Sequence, residues 1–88
     1  SNEIAIAFLE MVLMKENDPD KKEMLLTRLE THKILDMLER GLRAYHLSHG
    51  FYPESLQTLV TEGYIPSIPA NPNGGDFVYN NKEGSIKF

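Results

Sequence analysis

The chain has 88 residues, a net charge of −4 and no cysteine, which excludes disulfides and thiolate metal sites and argues against a phosphate backbone as the main partner. Hydrophobic residues make up 41% and charged residues 25%, a balance that excludes intrinsic disorder. No apolar run approaches the roughly 18–20 residues of a membrane span, so membrane association is expected only through segments absent from this chain. Residues 3–15 predict a first helix, in which Ile4, Ala7, Phe8, Met11 and Val12 form one apolar stripe and Leu9 and Leu13 widen it. The pattern opens abruptly at Ile4, and we expect the 88 residues to be part of a longer protein.

Asn17-Asp18-Pro19-Asp20 is a break followed by a start. Asp18 can cap the next helix, Pro19 suits its first position, and Asp20 adds negative charge at its positive end. From Pro19 to about Ser48, Leu25, Leu29, His32, Leu35, Leu38, Leu42 and Tyr45 recur at steps of three and four. This predicts one long helix, with a bend at Thr31–His32 or at Gly41. Gly50 suits the left-handed position that ends it.

Beyond Gly50 the chain changes character. Tyr52-Pro53-Glu54-Ser55 opens a short helix with Leu56, Leu59 and Val60 on one face, and Gly63 closes it. Pro66, Pro69 and Pro72 hold the next stretch extended, and Asn73-Gly74-Gly75 is a turn signal. Phe77-Val78-Tyr79 and Ser85–Phe88 read as strands joined by an Asn80–Gly84 loop, with Phe77 and Tyr79 facing Ile86 and Phe88. A hairpin alone is marginal in water, and Leu38, Leu42 and Tyr45 offer it a surface. The expected fold class is α+β: an N-terminal helical hairpin with one long helix, a short helix, a proline-rich loop and a C-terminal antiparallel β-hairpin packed on the long helix.

Few residues invite chemistry. His46 and His49 are three apart, but neither they nor His32 have further ligands at fitting spacing, and all three read as surface histidines. Asp18 and Asp20 read as a helix cap rather than a calcium site. Asp76, Asn80, Asn81 and Glu83 read as a hairpin turn. Ser48-His49 is no catalytic arrangement, and Gly74-Gly75 lacks the helix start and lysine of a phosphate loop. We expect no catalysis, no metal and no cofactor.

Two resemblances follow from the order of these elements. Gly41-Leu42-Arg43-Ala44-Tyr45, His49-Gly50-Phe51-Tyr52-Pro53, Leu56, Leu59-Val60, Gly63-Tyr64-Ile65-Pro66, Pro69, Asn71-Pro72, Asn73-Gly74-Gly75 and Phe77-Val78-Tyr79 resemble the globular part of pseudopilins of type II secretion and related pilin-like proteins. The chain departs from that family in having an amphipathic rather than hydrophobic front helix, and no acidic calcium-binding loop. Ala5-x-x-Phe8-Leu9-Glu10, Asn17-Asp18-Pro19 and Leu25…Leu29 resemble the helical pair of a tetratricopeptide-like repeat. The resemblances imply a division of one domain into a repeat-like hairpin at 1–31 and a pilin-like region at 32–88.

They also imply a non-catalytic protein–protein interaction or assembly module on the periplasmic side of a bacterial envelope. The alternative is the C-terminal cap of a repeat protein that binds peptides or scaffolds a complex. Protein partners, a second copy included, are expected at Ile4, Phe8 and Met11 on the first helix, and at Tyr52, Tyr64, Pro66 and Pro69 in the loops.

Overall fold

The computed structural model describes residues 1–88. Helix α1 spans Asn2–Lys15, and the Ser1 hydroxyl accepts from the Ile4 N–H at its start. Glu16 then turns extended, and its carboxylate accepts from the N–H groups of Asn17 and Asp18. Asp18 caps helix α2, Pro19–His49, by accepting from the Asp20 N–H at 3.0 Å. Pro19 holds the first helical position, where its missing N–H leaves nothing unpaired. Gly50 ends the helix at φ 81°, in the left-handed region, and its N–H donates to the His46 carbonyl at 2.8 Å.

The 31 residues of α2 are helical without interruption, with no break at Thr31–His32 or Gly41. At 1.5 Å per residue this helix is about 46 Å long, which is the long dimension of the 46 × 24 × 21 Å molecule. Every other element lies along it. A short helix, α3, spans Leu56–Thr61, and strands β1, Val78–Asn80, and β2, Ser85–Lys87, form a two-stranded antiparallel hairpin. The short helix starts later than the Tyr52-Pro53 signal suggests, because Pro53 is buried in the turn after α2 instead of opening α3.

Two separate faces of α2 are covered. Ile34, Leu35, Leu38, Leu42 and Tyr45 form the main core with Leu59 of α3, Ile65 of the loop and Ile86 of β2. Leu29 lies nine residues before Leu38, about two and a half turns, so it points to the opposite side. There the α1 helix runs antiparallel to α2, and Leu9 and Leu29 are the buried residues of that seam. The result is three layers: α1, then α2, then α3 with the loop and hairpin.

The hairpin register pairs Tyr79 with Ile86 and Val78 with Lys87. Tyr79 and Ile86 therefore share the core face, as the alternation predicts, while Phe77 packs against the core from outside the strand. Phe88 departs from the expected facing: it is 57% exposed and meets the His32 ring edge-on at 6.2 Å. Gly84 turns the hairpin at φ 68°, with the Tyr52 ring where a side chain would stand.

Candidate interaction surface

One side of α1 lies against α2, and the electrostatic contacts of the seam fix its position. Arg40 Nη2 donates to Glu3 Oε1 at 2.6 Å while its Nε donates to Asp36 at 2.9 Å. Asn2 Nδ2 donates to Glu39 at 3.1 Å, and its side-chain Oδ1 lies 2.8 Å from His32 Nδ1. These ties set the first turn of α1 beside the middle of α2. The face of α1 that turns inward is the Leu9 face, with Ala5, Ile6, Val12 and Leu13 half-buried beside it.

The opposite face carries Ile4, Ala7, Phe8 and Met11 of the expected stripe together with Met14, while Val12 turns inward. Ile4 is 73% exposed, Phe8 61%, Met11 56% and Met14 87%. Ala7 lies exposed between them. These positions recur at three- and four-residue steps over three turns, so they form one continuous patch. An isolated apolar side chain at a surface is ordinary, but a contiguous row of large ones marks a contact region. Glu3 and Glu10 border the patch on one side, and Lys15 on the other, beside Phe8.

The loop residues expected as contacts are placed differently. Tyr52 is half-buried, tilted on the His46 ring at 4.3 Å and packed against the core. Tyr64 is half-buried and meets Tyr45 edge-on at 5.4 Å. The expectation that these two rings project from the loops is thus corrected; burying a ring beside a thin core stabilises the fold more than exposing it. Pro66 is exposed, and Pro69 is half-buried at an open depression of about 320 Å³ that it lines with Leu56, Ile68 and Phe77. The seven residues therefore do not converge: Ile4, Phe8 and Met11 share one patch, and the other four lie on the far side of α2.

The histidines serve the fold. His49 stacks on Tyr45 at 4.0 Å, and its Nε2 lies 3.2 Å from Glu62. His32 and His46 are half-buried rather than surface residues, held by Asn2 and by Tyr52. No three His, Asp or Glu side chains come together in a metal-binding arrangement. The Asn80 carboxamide accepts from the N–H groups of Lys82 and Glu83, making the hairpin turn. The largest depression, about 490 Å³, is open and lined mostly by polar side chains of α2 and by Asn73. Every buried side-chain nitrogen and oxygen has a hydrogen-bond partner, so none is left aimed at an absent ligand.

No helix of the protein is long and apolar enough to cross a membrane. Comparison with protein-family models, curated proteins and solved structures finds no match. The α1 patch therefore has to be read from its own chemistry.

Proposed function

We propose that this protein is a non-catalytic protein–protein assembly module, and that the outer face of α1 is its docking surface. The observation that carries the reading is the row of Ile4, Phe8, Met11 and Met14, each more than half exposed on one helix face. Leaving four large apolar side chains in water forfeits on the order of 1.5–3 kcal/mol apiece relative to burial. A partner that covers them recovers that free energy, less the cost of association. The resemblance of residues 41–88 to pseudopilin globular regions supports placing the module in a secretion- or pilus-related system of a bacterial envelope.

A second reading is that the α1–α2 pair is a terminal repeat of a tetratricopeptide-like array. It draws on the antiparallel hairpin and on Leu47, which is 85% exposed and lies eighteen residues, about five turns, beyond Leu29 on the same face of α2. In that reading the pilin-like part caps the stack.

Site-specific photo-crosslinking in the cells that make the protein tests the docking surface. A photoreactive side chain replacing Phe8 should give an adduct of defined mass, whereas the same group at the exposed Glu30 of α2 should not. Absence of any adduct at position 8, with the protein folded and expressed, would sink the reading.

A further inference from the structure

We propose that the occupant of the α1 face is a second copy of this chain, paired through α1 in parallel about a two-fold axis. This rests on the reading of α1 as the docking surface and adds the partner and its orientation.

The argument is one of pattern and charge. The fourteen residues of α1 make two heptads. Placing Ile4 and Met11 at the first core position puts Ala7 and Met14 at the second, all exposed and all pointing away from α2. The flanks then follow. Glu3 and Glu10 fall on one side of this seam, and Phe8 and Lys15 on the other.

In a parallel pair related by a two-fold axis along the helices, the acidic flank of one copy meets the basic flank of its mate. Glu10 and Lys15 stand five residues apart, the spacing at which flanking residues of parallel two-stranded coils pair across the interface. Symmetry makes this ion pair twice. In an antiparallel pair centred on the patch like flanks meet: Glu10 would face Glu10 of the mate, and the flanks that carry Phe8 and Lys15 would lie together on the other side. The charges therefore select the parallel arrangement and oppose the antiparallel one. Neither Glu10 nor Lys15 is engaged within the chain: its ion pairs are those of Arg40 with Glu3 and Asp36, and of His49 with Glu62.

Access is clear. The α3 helix, the loop and the hairpin pack on the side of α2 that faces away from α1, so a mate reaches the patch without meeting them. Size sets the strength. At roughly 150–200 Å² per large apolar side chain, the exposed fractions leave on the order of 500 Å² of patch per copy. A symmetric pair buries on the order of 1,000 Å², the lower edge of specific interfaces. The dimer is accordingly weak and in exchange with monomer.

The test uses the purified full chain. Sedimentation equilibrium from ~5 µM to ~1 mM should show the mass rising from 10.0 kDa toward twice that value. Glu10→Lys should weaken association about tenfold, and Glu10→Lys with Lys15→Glu should restore it. Ile4→Cys should link to its own mate under mild oxidation, because parallel pairing sets the two Cα atoms side by side, within reach of a disulfide. Antiparallel pairing about the centre of the patch separates them by about 15 Å along the axis. These are surface positions, and circular dichroism verifies that each variant is folded.

A chain monomeric at ~1 mM overturns self-pairing. Linkage of Ile4→Cys only to Met14→Cys in mixed samples overturns the parallel register. A Phe8 photo-adduct whose mass is not that of a dimer, with the purified chain monomeric, overturns the second copy as occupant while leaving the docking surface in place. No adduct and no dimer removes both.

Discussion

The Tyr79 hydroxyl donates to the carbonyl oxygen of Pro53 at 2.6 Å, joining a strand of the hairpin to the turn that follows the long helix. Pro53 is fully buried, and its carbonyl has no other side-chain donor among the hydrogen bonds of the molecule. Tyr79→Phe removes the donor while keeping the ring. It should cost about 1–2 kcal/mol, because a buried acceptor is left unpaired. Urea unfolding should show a lower midpoint with an unchanged slope.

The same hydroxyl ties stability to alkaline pH. Burial raises the pKa of Tyr79 above its ordinary value, with Tyr45 and Tyr52 adding to the effect. Burial also raises that of Tyr45, with Glu62 and Tyr64 adding to it. Between the unfolded value of about 10 and the raised folded values, the unfolded chain has released these protons while the folded chain still holds them. Their contribution is therefore fully present below about pH 10 and is lost as the pH rises through the folded values. Denaturation midpoints should fall over that window, and the fall should flatten in a Tyr45→Phe/Tyr79→Phe variant; an equally steep fall in that variant would assign the effect elsewhere.

Gly41 lies in the middle of α2, where alanine ordinarily favours the helix by about 1 kcal/mol. Here a Cβ would stand 2.7 Å from Ile65 Cγ2 and 3.6 Å from Leu59 Cδ1. Ile65 is buried and branched at Cβ, so it has little freedom to turn away. Overpacking of about 1–3 kcal/mol exceeds the gain in propensity, and Gly41→Ala should lower stability by about 1 kcal/mol. A rise in thermal midpoint would show that the loop yields instead.

Thr31 is the buried polar side chain of the molecule, with 0% exposure. Its hydroxyl donates to the Thr27 carbonyl at 2.8 Å and accepts from Asn73 Nδ2 at 2.9 Å. Thr31→Val keeps the shape and removes both bonds. Thr27 keeps its helical hydrogen bonding and Asn73 can turn to water, so the loss should stay near 1 kcal/mol. The local effect is larger: amide exchange around residues 71–75 should speed up several-fold, because this bond links the loop to α2.

The helices were legible because their signals are local. Asp18-Pro19 and Gly50 mark the ends of α2 by capping chemistry that depends on no distant residue. The core face of α2 was legible for the same reason, since Leu35, Leu38, Leu42 and Tyr45 recur at helical steps. Which side of α1 turns inward was not. Both sides are apolar, Ala5, Ile6, Leu9, Val12 and Leu13 on one and Ile4, Ala7, Phe8, Met11 and Met14 on the other, so periodicity alone does not choose between them. The packed arrangement is accompanied by Arg40 reaching Glu3 and Asn2 reaching His32 and Glu39, pairings thirty or more residues apart that no periodicity encodes. Tyr52 and Tyr64 were misjudged on the same ground: adjacency to proline indicates a loop but not which way its ring points. The Tyr79–Pro53 bond leaves no mark in sequence beyond the two residue types.

Phe8 and Leu9 are neighbours in sequence with opposite surroundings, and they separate stability from docking. Phe8 is 61% exposed and Leu9 8%. Leu9→Ala opens the seam against α2 and should cost about 2–3 kcal/mol, a large share of the stability of an 88-residue chain. It also loosens α1, so exchange protection should fall first across Asn2–Lys15 and only later in the core around Leu38. Phe8→Ala removes a ring that touches mainly solvent and should change stability by less than about 0.5 kcal/mol. Its effect belongs to association: self-association in sedimentation should drop, with the thermal midpoint of dilute protein unmoved. If Phe8→Ala destabilises dilute monomer as much as Leu9→Ala does, the outer face of α1 is packed within the chain, and it is not a surface kept for a partner.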